Sequence, residues 1–503
     1  MQDGRPRRGV FRNPLSVFGS VLAAVSTGIG VPLVAVDLFS RRTHPYVGVL
    51  IYLALPLSAI FGVVILVLGA WLERRRRARK PGETPPPLPR IDLNQPAHQM
   101  MVLGALTGLM VVAVLLSITG YRAYHFTESV QFCGLVCHQV MKPEYTAYQH
   151  SPHARVACTQ CHVGPGADWY VRSKLSGLYQ VYAVATHSYP RPIPTPVKNL
   201  RPAPETCEQC HWPAKFFGAQ QKRFSHRLAD ETNSPWQIEM LLKIGGGDPN
   251  VGAAGGIHWH MNIKNTIEYI ASDEQREVIP WVRSTDPVGH VTEYMSTEQP
   301  LKPEQIAKAT MRRMDCVDCH NRPSHIFRPP DRAVDEAFEA GRLDPSLPYL
   351  KRESVRLLAG EYPTEPAAQA AILKGLAEFY QKEYPEVYRE KTAAVQQATA
   401  ELSQIYGRNM FPEMRADWRA HPNHIGHLNA QGCFRCHDGL HKSREGQVIT
   451  KDCNACHTIL AQGTPEEVAQ AKLEAQPFRH PVDVGTDVTE LKCSECHTGT
   501  SGL

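Results

Sequence analysis

Three long apolar runs dominate the first quarter of the chain, at residues 15–39, 48–72 and 99–121. Each exceeds the roughly 20 residues that cross a hydrocarbon core, so each predicts a transmembrane helix. The first holds Asp37 and several Gly and Ser, and a cleaved signal peptide is its other reading. It is longer than a signal-peptide core and no small-x-small cleavage site follows, which favours a retained helix. Arg5, Arg7, Arg8 and Arg12 precede the first run, and Arg74, Arg75, Arg76, Arg77, Arg79 and Lys80 follow the second. The positive-inside rule puts both basic segments in the cytoplasm, so the third helix leaves the bilayer on the far side. Arg41 and Arg42, in the short outer loop, run against that rule.

Beyond residue 121 the pattern breaks into shorter pieces. The runs IHWHMNI, TIEYIA, EVIPWV and VTEYM are rich in β-branched and aromatic residues and predict strands of a small sheet. A strand at IHWHMNI would point His258 and His260 to the same face. Residues 331–408 have helical spacing, broken at Pro363 and Pro385, and read as a structural helical spacer. The Pro-rich stretch Pro81–Pro96 reads as a cytoplasmic linker.

The formal net charge of +5 hides an asymmetry. The first 121 residues carry +8 and residues 122–503 carry −3. The basic balance is therefore a membrane-orientation signal and excludes a nucleic-acid footprint. An acidic outer domain suits basic soluble partners.

All fourteen cysteines fall in one repeated pattern, Cys-x-x-Cys-His. Six copies are regular: Cys158/Cys161/His162, Cys207/Cys210/His211, Cys316/Cys319/His320, Cys433/Cys436/His437, Cys453/Cys456/His457 and Cys493/Cys496/His497. The copy at Cys133/Cys137/His138 has one extra residue between its thiols. The pattern reads as covalent haem c attachment, with two thioethers and the adjacent His as proximal iron ligand. Zinc would need two pairs converging and gives no reason for a His after every second Cys. The expectation is seven covalently bound haems c in a multihaem cytochrome.

The fold expected is three N-terminal transmembrane helices plus a haem-packed, mostly α or irregular periplasmic domain with a small β insertion. Its segments are 1–98 (cytoplasmic N-terminus, two helices and Pro-rich cytoplasmic loop), 99–121 (third helix) and 122–212 (three haem motifs). Then follow 213–315 (β-rich insertion), 316–420 (fourth motif and helical spacer) and 421–503 (last three motifs). With about 55 residues per haem in 122–503, the porphyrins themselves would fill much of the core. Thiols are ligated to haem outside the cytoplasm, which agrees with the orientation and places the chain in a bacterial inner membrane with its haem domain in the periplasm.

Fourteen histidines beyond the third helix lie outside the motifs, twice the demand for distal ligands, so most haems are expected to be bis-His. His153, His187, His258, His325, His441 and His480 lead as distal candidates, each near a motif or in a tight His cluster. The triplet His421, His424 and His427 should supply at least one more. None of the three spans contains a His, so no haem is expected inside the bilayer.

The run TESVQFCGLVCHQVMKPEYTAYQHSPHARVACTQCH, directly after an apolar span, resembles the start of the NapC/NirT family of membrane-anchored quinol dehydrogenases. The resemblance covers residues 99–212, and the rest is similar to larger seven-haem inner-membrane relatives. It implies that Met141 or His138 ligates the first haem iron, next to a quinol site. It also implies Lys174 in that site; Arg172 and Tyr179 stand beside it to orient a headgroup. No carboxylate stands at the family's place after Lys174, where Tyr179 and Gln180 lie. The function implied is oxidation of quinol from the membrane pool at the periplasmic face, with electrons passed to periplasmic carriers, themselves expected to be cytochromes. Two rivals remain at this point: an electron-wiring subunit without its own quinol site, and a multihaem terminal reductase with an open haem.

Overall fold

The computed structural model describes residues 11, 13–39, 45–78, 91–164, 166–197, 200–248, 250, 252, 255–261, 265–486, 488 and 491–500. The basic residues Arg5, Arg7, Arg8, Arg12, Arg41, Arg42, Arg79 and Lys80, and most of the Pro-rich linker, lie outside them. The chain divides into two units, residues 1–141 and 142–503.

The first unit holds the apolar helices α1 (Pro14–Phe39), α2 (Leu55–Ala78) and α3 (Pro96–Thr127). A short helix Pro45–Val49 and a π-turn Leu50–Ala54 lead into α2. All three spans are long and apolar enough to cross a membrane. α1 matches its apolar run to within one residue, and α2 and α3 run about six residues past the C-terminal ends of theirs. Small residues let α1 and α2 touch: a Cβ at Gly19 would sit 2.5 Å from the Gly62 carbonyl oxygen, and one at Gly62 2.6 Å from the Ala23 nitrogen. Close backbone approach of this kind drives helix association where no hydrophobic effect operates. Ser16 Oγ donates to the Leu66 carbonyl at 3.0 Å across the same contact. Asp37, the acid inside the first span, accepts a hydrogen bond from Tyr52 Oη. No residue of α3 is buried, as befits a helix whose solvent is lipid.

In the second unit the early segment forms α4 (His138–Gln149, beginning in the first unit's last residues) and α5 (Ala167–Ala185). Eight strands then build two antiparallel sheets. The first has the order β1-β2-β8, from Gln220–Arg227, Pro235–Leu242 and His457–Gly463. The second has the order β6-β3-β4-β5-β7, from Arg312–Arg313, Thr266–Ile270, Trp281–Thr285, Val291–Ser296 and His441–Ser443. TIEYI and VTEYM are strands, as their alternation predicts. IHWHM is not: Ile257–Met261 is a 3₁₀ turn. The turn is closed locally by Trp259 N donating to Gly256 O at 3.0 Å, just after Gly256 pairs with Ile244 as an isolated bridge. The sheets are also not confined to 213–315, because β7 and β8 from the C-terminal segment complete both.

Four helices, α6 (Pro330–Glu339), α7 (Leu350–Leu358), α8 (Glu365–Glu383) and α9 (Thr392–Asn409), form the spacer. Pro385 starts a separate short helix, as its missing N–H requires. Here the core is conventional: Val334, Leu347, Leu350, Leu358, Ile372, Leu376, Tyr380 and Leu402 are fully buried. The β1–β2 turn docks on this block through Asn233. Its left-handed backbone (φ 49°) suits Asn, and its amide donates to Pro345 O (3.0 Å) and Leu347 O (2.8 Å).

A buried ion pair lies at the same junction. Lys351 Nζ, in a residue 2 % exposed, donates to Asp335 Oδ1 at 2.7 Å and to the Asp331 carbonyl. Asp335 also meets His226 Nδ1 (3.1 Å) and the Arg227 amide (2.9 Å). Burial opposes the Asp335 charge, yet these donors hold its carboxyl below the usual value. A depressed carboxyl contributes stability above the ordinary Asp range, near pH 4, that is lost as pH falls through the depressed value. Lys351→Ala should cost about 3–5 kcal/mol by stranding the carboxylate. Denaturation of the variant and the parent at pH 7, followed by loss of Soret circular dichroism, checks this.

Candidate haem centres

Four of the regular motifs close on themselves as one helical turn. His211 N donates to Cys207 O (2.8 Å), His320 N to Cys316 O (2.8 Å), His437 N to Cys433 O (3.0 Å) and His497 N to Cys493 O (2.8 Å). Such a turn brings both thiols and the following imidazole to one side, as attachment of a single macrocycle requires. The Cys133 copy departs in the way its extra residue dictates: Phe132–Val136 is a π-turn, one residue wider than an α-turn. The His138 side chain lies outside the described residues. Met141 is half-buried, and its amide donates to Cys137 O at 3.0 Å.

Within the protein chain itself Cys161, Cys210, Cys453 and Cys496 are exposed, and the other ten cysteines are half-buried. Exposure of the protein sulfur does not conflict with a thioether, which needs only the edge of a macrocycle beside it.

Six motif histidines each face a histidine from elsewhere in the chain. The ring centres lie 6.2 Å apart for His162 and His325, 6.1 Å for His211 and His153, and 6.3 Å for His320 and His258. They lie 5.7 Å apart for His437 and His260, 6.1 Å for His457 and His427, and 5.9 Å for His497 and His480. Two imidazoles on one metal, with each nitrogen about 2 Å from it, have ring centres about 6 Å apart. The gaps fit an iron with a histidine on either face.

The tautomers agree. Nδ1 is 3.0 Å from the Glu144 carbonyl in His325, 2.8 Å from Ile244 O in His258 and 2.8 Å from Ile257 O in His260. It is 2.8 Å from Thr450 O in His437 and 2.8 Å from Val482 O in His480. A carbonyl accepts only, so Nδ1 carries the proton and Nε2 keeps its lone pair for a metal. In the pair of His427 and His457 both Nδ1 atoms are buried with no hydrogen-bond partner.

Of the sequence candidates, His153, His258, His325 and His480 thus meet a motif histidine, whereas His187 and His441 meet none among the described residues. His187 is exposed in a left-handed turn (φ 55°) after α5. His441 is buried with both nitrogens engaged, Nδ1 to Asp438 Oδ1 at 2.9 Å and Nε2 to Ile279 O at 2.7 Å. Burial opposes its charge, but these two acceptors raise its pKa and favour imidazolium. His260 and His427 take the places in the pairs. The 3₁₀ turn explains the first: successive residues there project in different directions, so His258 and His260 serve different motifs. From the triplet only His427 faces a motif. His424 Nε2 sits 2.6 Å from Glu277, and His421, beside Thr195 Oγ1 at 3.2 Å, is pushed down to about 4 by burial.

Consecutive motifs adjoin. Burial, partial for Cys161, raises the thiols of Cys161, Cys319, Cys456 and Cys493, and thiols of neighbouring motifs raise them further: Cys207, Cys433, Cys433 and Cys453 respectively. The Cys210 thiol acts on Cys161 in the same direction. Cys207 and Cys316 share a hydrogen bond. The second to seventh motifs therefore lie side by side in chain order. The fourth and fifth are also locked through the residues between their cysteines. Arg435 donates to the Asp318 carbonyl at 2.7 Å and to Arg276 O at 2.8 Å. The Asp318 carboxylate, 2 % exposed, accepts from Tyr269 (2.7 Å), Arg276 (2.8 Å) and Arg312 (2.7 Å).

Lys174, Arg172 and Tyr179 all lie on α5 and do not converge. Lys174 Nζ stands 4.6 Å over the Tyr170 ring and Arg172 5.4 Å over Trp169. Tyr179 is 69 % exposed, on the Arg172 flank of the helix. Among the described residues no three His, Cys, Asp or Glu side chains gather as a site for a bare metal ion.

The family model for the N-terminal region of the NapC/NirT cytochrome c family matches residues 95–192. The cytochrome c-type protein ImcH of Geobacter sulfurreducens is 46 % identical over 493 residues, covering 98 % of this chain and 96 % of that protein. The cytochrome c-type protein NrfH of Wolinella succinogenes is 28 % identical over 113 residues, covering 21 % of this chain and 63 % of that protein. No solved structure matches the chain.

Proposed function

Because this chain belongs to the family of membrane-anchored c-type cytochromes that includes ImcH, with a NapC/NirT region at 95–192, we propose that it oxidises quinol at the periplasmic face of the inner membrane and delivers the electrons to periplasmic redox proteins. The observation that carries this reading is the set of six facing histidine pairs at the second to the seventh motif. The fourteen cysteines and the motif histidines would hold seven haems c, with His153, His325, His258, His260, His427 and His480 as distal ligands. Haem c, when bound, supplies one-electron redox chemistry at each iron.

The residues of the chain do the rest. Backbone carbonyls hold the Nδ1 proton of His258, His260, His325, His437 and His480, which fixes each imidazole and makes it a stronger donor to metal. Histidine on both sides of six sites leaves no vacant position there for a small substrate, which weighs against a terminal reductase. The first motif follows α3 within a few residues, so its place is at the membrane exit, and Met141 or His138 completes its ligation. Lys174, in this reading, donates to the quinol headgroup, with Arg172 and Tyr179 along the same helix. Lys174→Ala should slow haem reduction by quinol about tenfold to a hundredfold, the loss of one charge-assisted hydrogen bond, and leave reduction by dithionite unchanged. The divergence of Lys174 from Arg172 and Tyr179 favours one second reading, a wiring subunit fed by a neighbouring membrane complex. An unaltered quinol rate in Lys174→Ala would support it.

A further inference from the structure

Helix α5 carries an apolar face that nothing in its own unit covers. Val171, Leu175, Leu178 and Tyr182 are 54 %, 62 %, 68 % and 62 % exposed. At 3.6 residues per turn their side chains fall within about 60° of one another, in a stripe about 16 Å long. Among the described residues of the helix only Ala183 is buried. The spacer helices of the same unit turn comparable residues inward, so the exposure belongs to α5 and not to loose packing of the whole unit.

Two cations bracket the stripe: Lys174 on one flank and Arg172 on the other, each laid over an aromatic ring. The surrounding sequence is one-signed. Residues 169–204 contain five lysines and arginines and no acid, inside an outer domain whose net charge is −3. Trp169, Tyr170 and Tyr182 add amphipathic rings of the kind that collect where hydrocarbon meets headgroups. An apolar centre edged by snorkelling cations and aromatic rings is the pattern of a helix lying in a membrane interface. In sequence, α5 begins about forty residues after α3 ends at Thr127.

We infer that α5 is a membrane-surface helix, its Val171–Leu175–Leu178–Tyr182 face sunk among the acyl chains of the outer leaflet of the inner membrane and Arg172 on anionic lipid phosphates. The inference goes beyond the quinol reading and does not depend on it. Burial of this face in the bilayer anchors the haem-bearing unit at a second place besides the transmembrane helices.

The test uses the full-length holoprotein in liposomes of phosphatidylethanolamine and phosphatidylglycerol, with a trace of phospholipid bearing a diazirine on its acyl chain. After photolysis, peptide mass spectrometry should find adducts on residues 171–182 as well as on the three spans. Replacing the phosphatidylglycerol with phosphatidylcholine should lower the α5 adducts severalfold and leave those of the spans unchanged. Adducts confined to the spans overturn the inference, whether a second copy, a partner or haem covers the face instead. Leu178→Ser with Leu175→Ser supplies the second arm: α5 labelling should fall while haem content stays, and unchanged labelling also overturns it. Quinol reduction measured on the same samples separates the two claims. Labelling without quinol reduction keeps the surface and removes the quinol site, and reduction without labelling does the reverse.

Discussion

Replacing His258 by alanine is expected to turn one haem, that of Cys316/Cys319/His320, from low-spin to high-spin and to leave the others as they were. His260→Ala should do the same to the haem of Cys433/Cys436/His437 alone. The two histidines are separated by one residue, yet their rings face different motif histidines at 6.3 Å and 5.7 Å. Loss of a distal imidazole leaves a ferric iron with a weak-field water or nothing, which changes its spin state outright. Electron paramagnetic resonance and near-infrared magnetic circular dichroism of the single and double variants read the change. One new high-spin haem in each single variant and two in the double variant is the expected set. A single altered haem in the double variant would mean that both histidines serve one site, as a strand would have placed them.

Asp318→Ala should lower stability by about 3–5 kcal/mol, the range for a buried ion pair that loses one partner. The carboxylate is 2 % exposed and accepts hydrogen bonds from Tyr269, Arg276 and Arg312, so its removal leaves two guanidiniums and a phenol facing one another. The same residue ties the fourth motif to the fifth through its carbonyl and Arg435. Asp318→Asn keeps the shape and loses the charge, and its cost should fall between the parent and the alanine variant. Chemical denaturation followed in the Soret region measures both. A midpoint for Asp318→Ala equal to the parent's would show that the cluster is held together by other contacts.

Local features were readable in the sequence, and features set by distant parts of the chain were not. The Cys-x-x-Cys-His repeats were legible because one helical turn carries all three residues. The spans were legible because hydropathy needs no tertiary partner, and β3 and β5 because their alternation persists in a real sheet. IHWHM alternates as well, but it follows a glycine-rich stretch and closes on itself through Trp259 N and the Gly256 carbonyl. The strand β8 follows the sixth motif directly and pairs with β2, about 220 residues earlier, which no local pattern could reveal. Distal pairing has the same character. His441 looked as suitable as His427 by proximity to a motif, and only the fold shows that Asp438 and Ile279 already hold both of its nitrogens. The apolar stripe of α5 was present in VRSKLSGLYQVY, but its exposure depends on what the rest of the unit leaves uncovered.

The central claim is that this membrane cytochrome takes its electrons from quinol. The direct measurement is anaerobic stopped-flow mixing of the purified, lipid-reconstituted chain with a reduced menaquinone analogue, followed at the haem α-band. Reduction of haem at a rate that rises and then saturates with quinol concentration is the expected result. Haem that dithionite reduces fully, and that quinol leaves oxidised at every concentration, would contradict it.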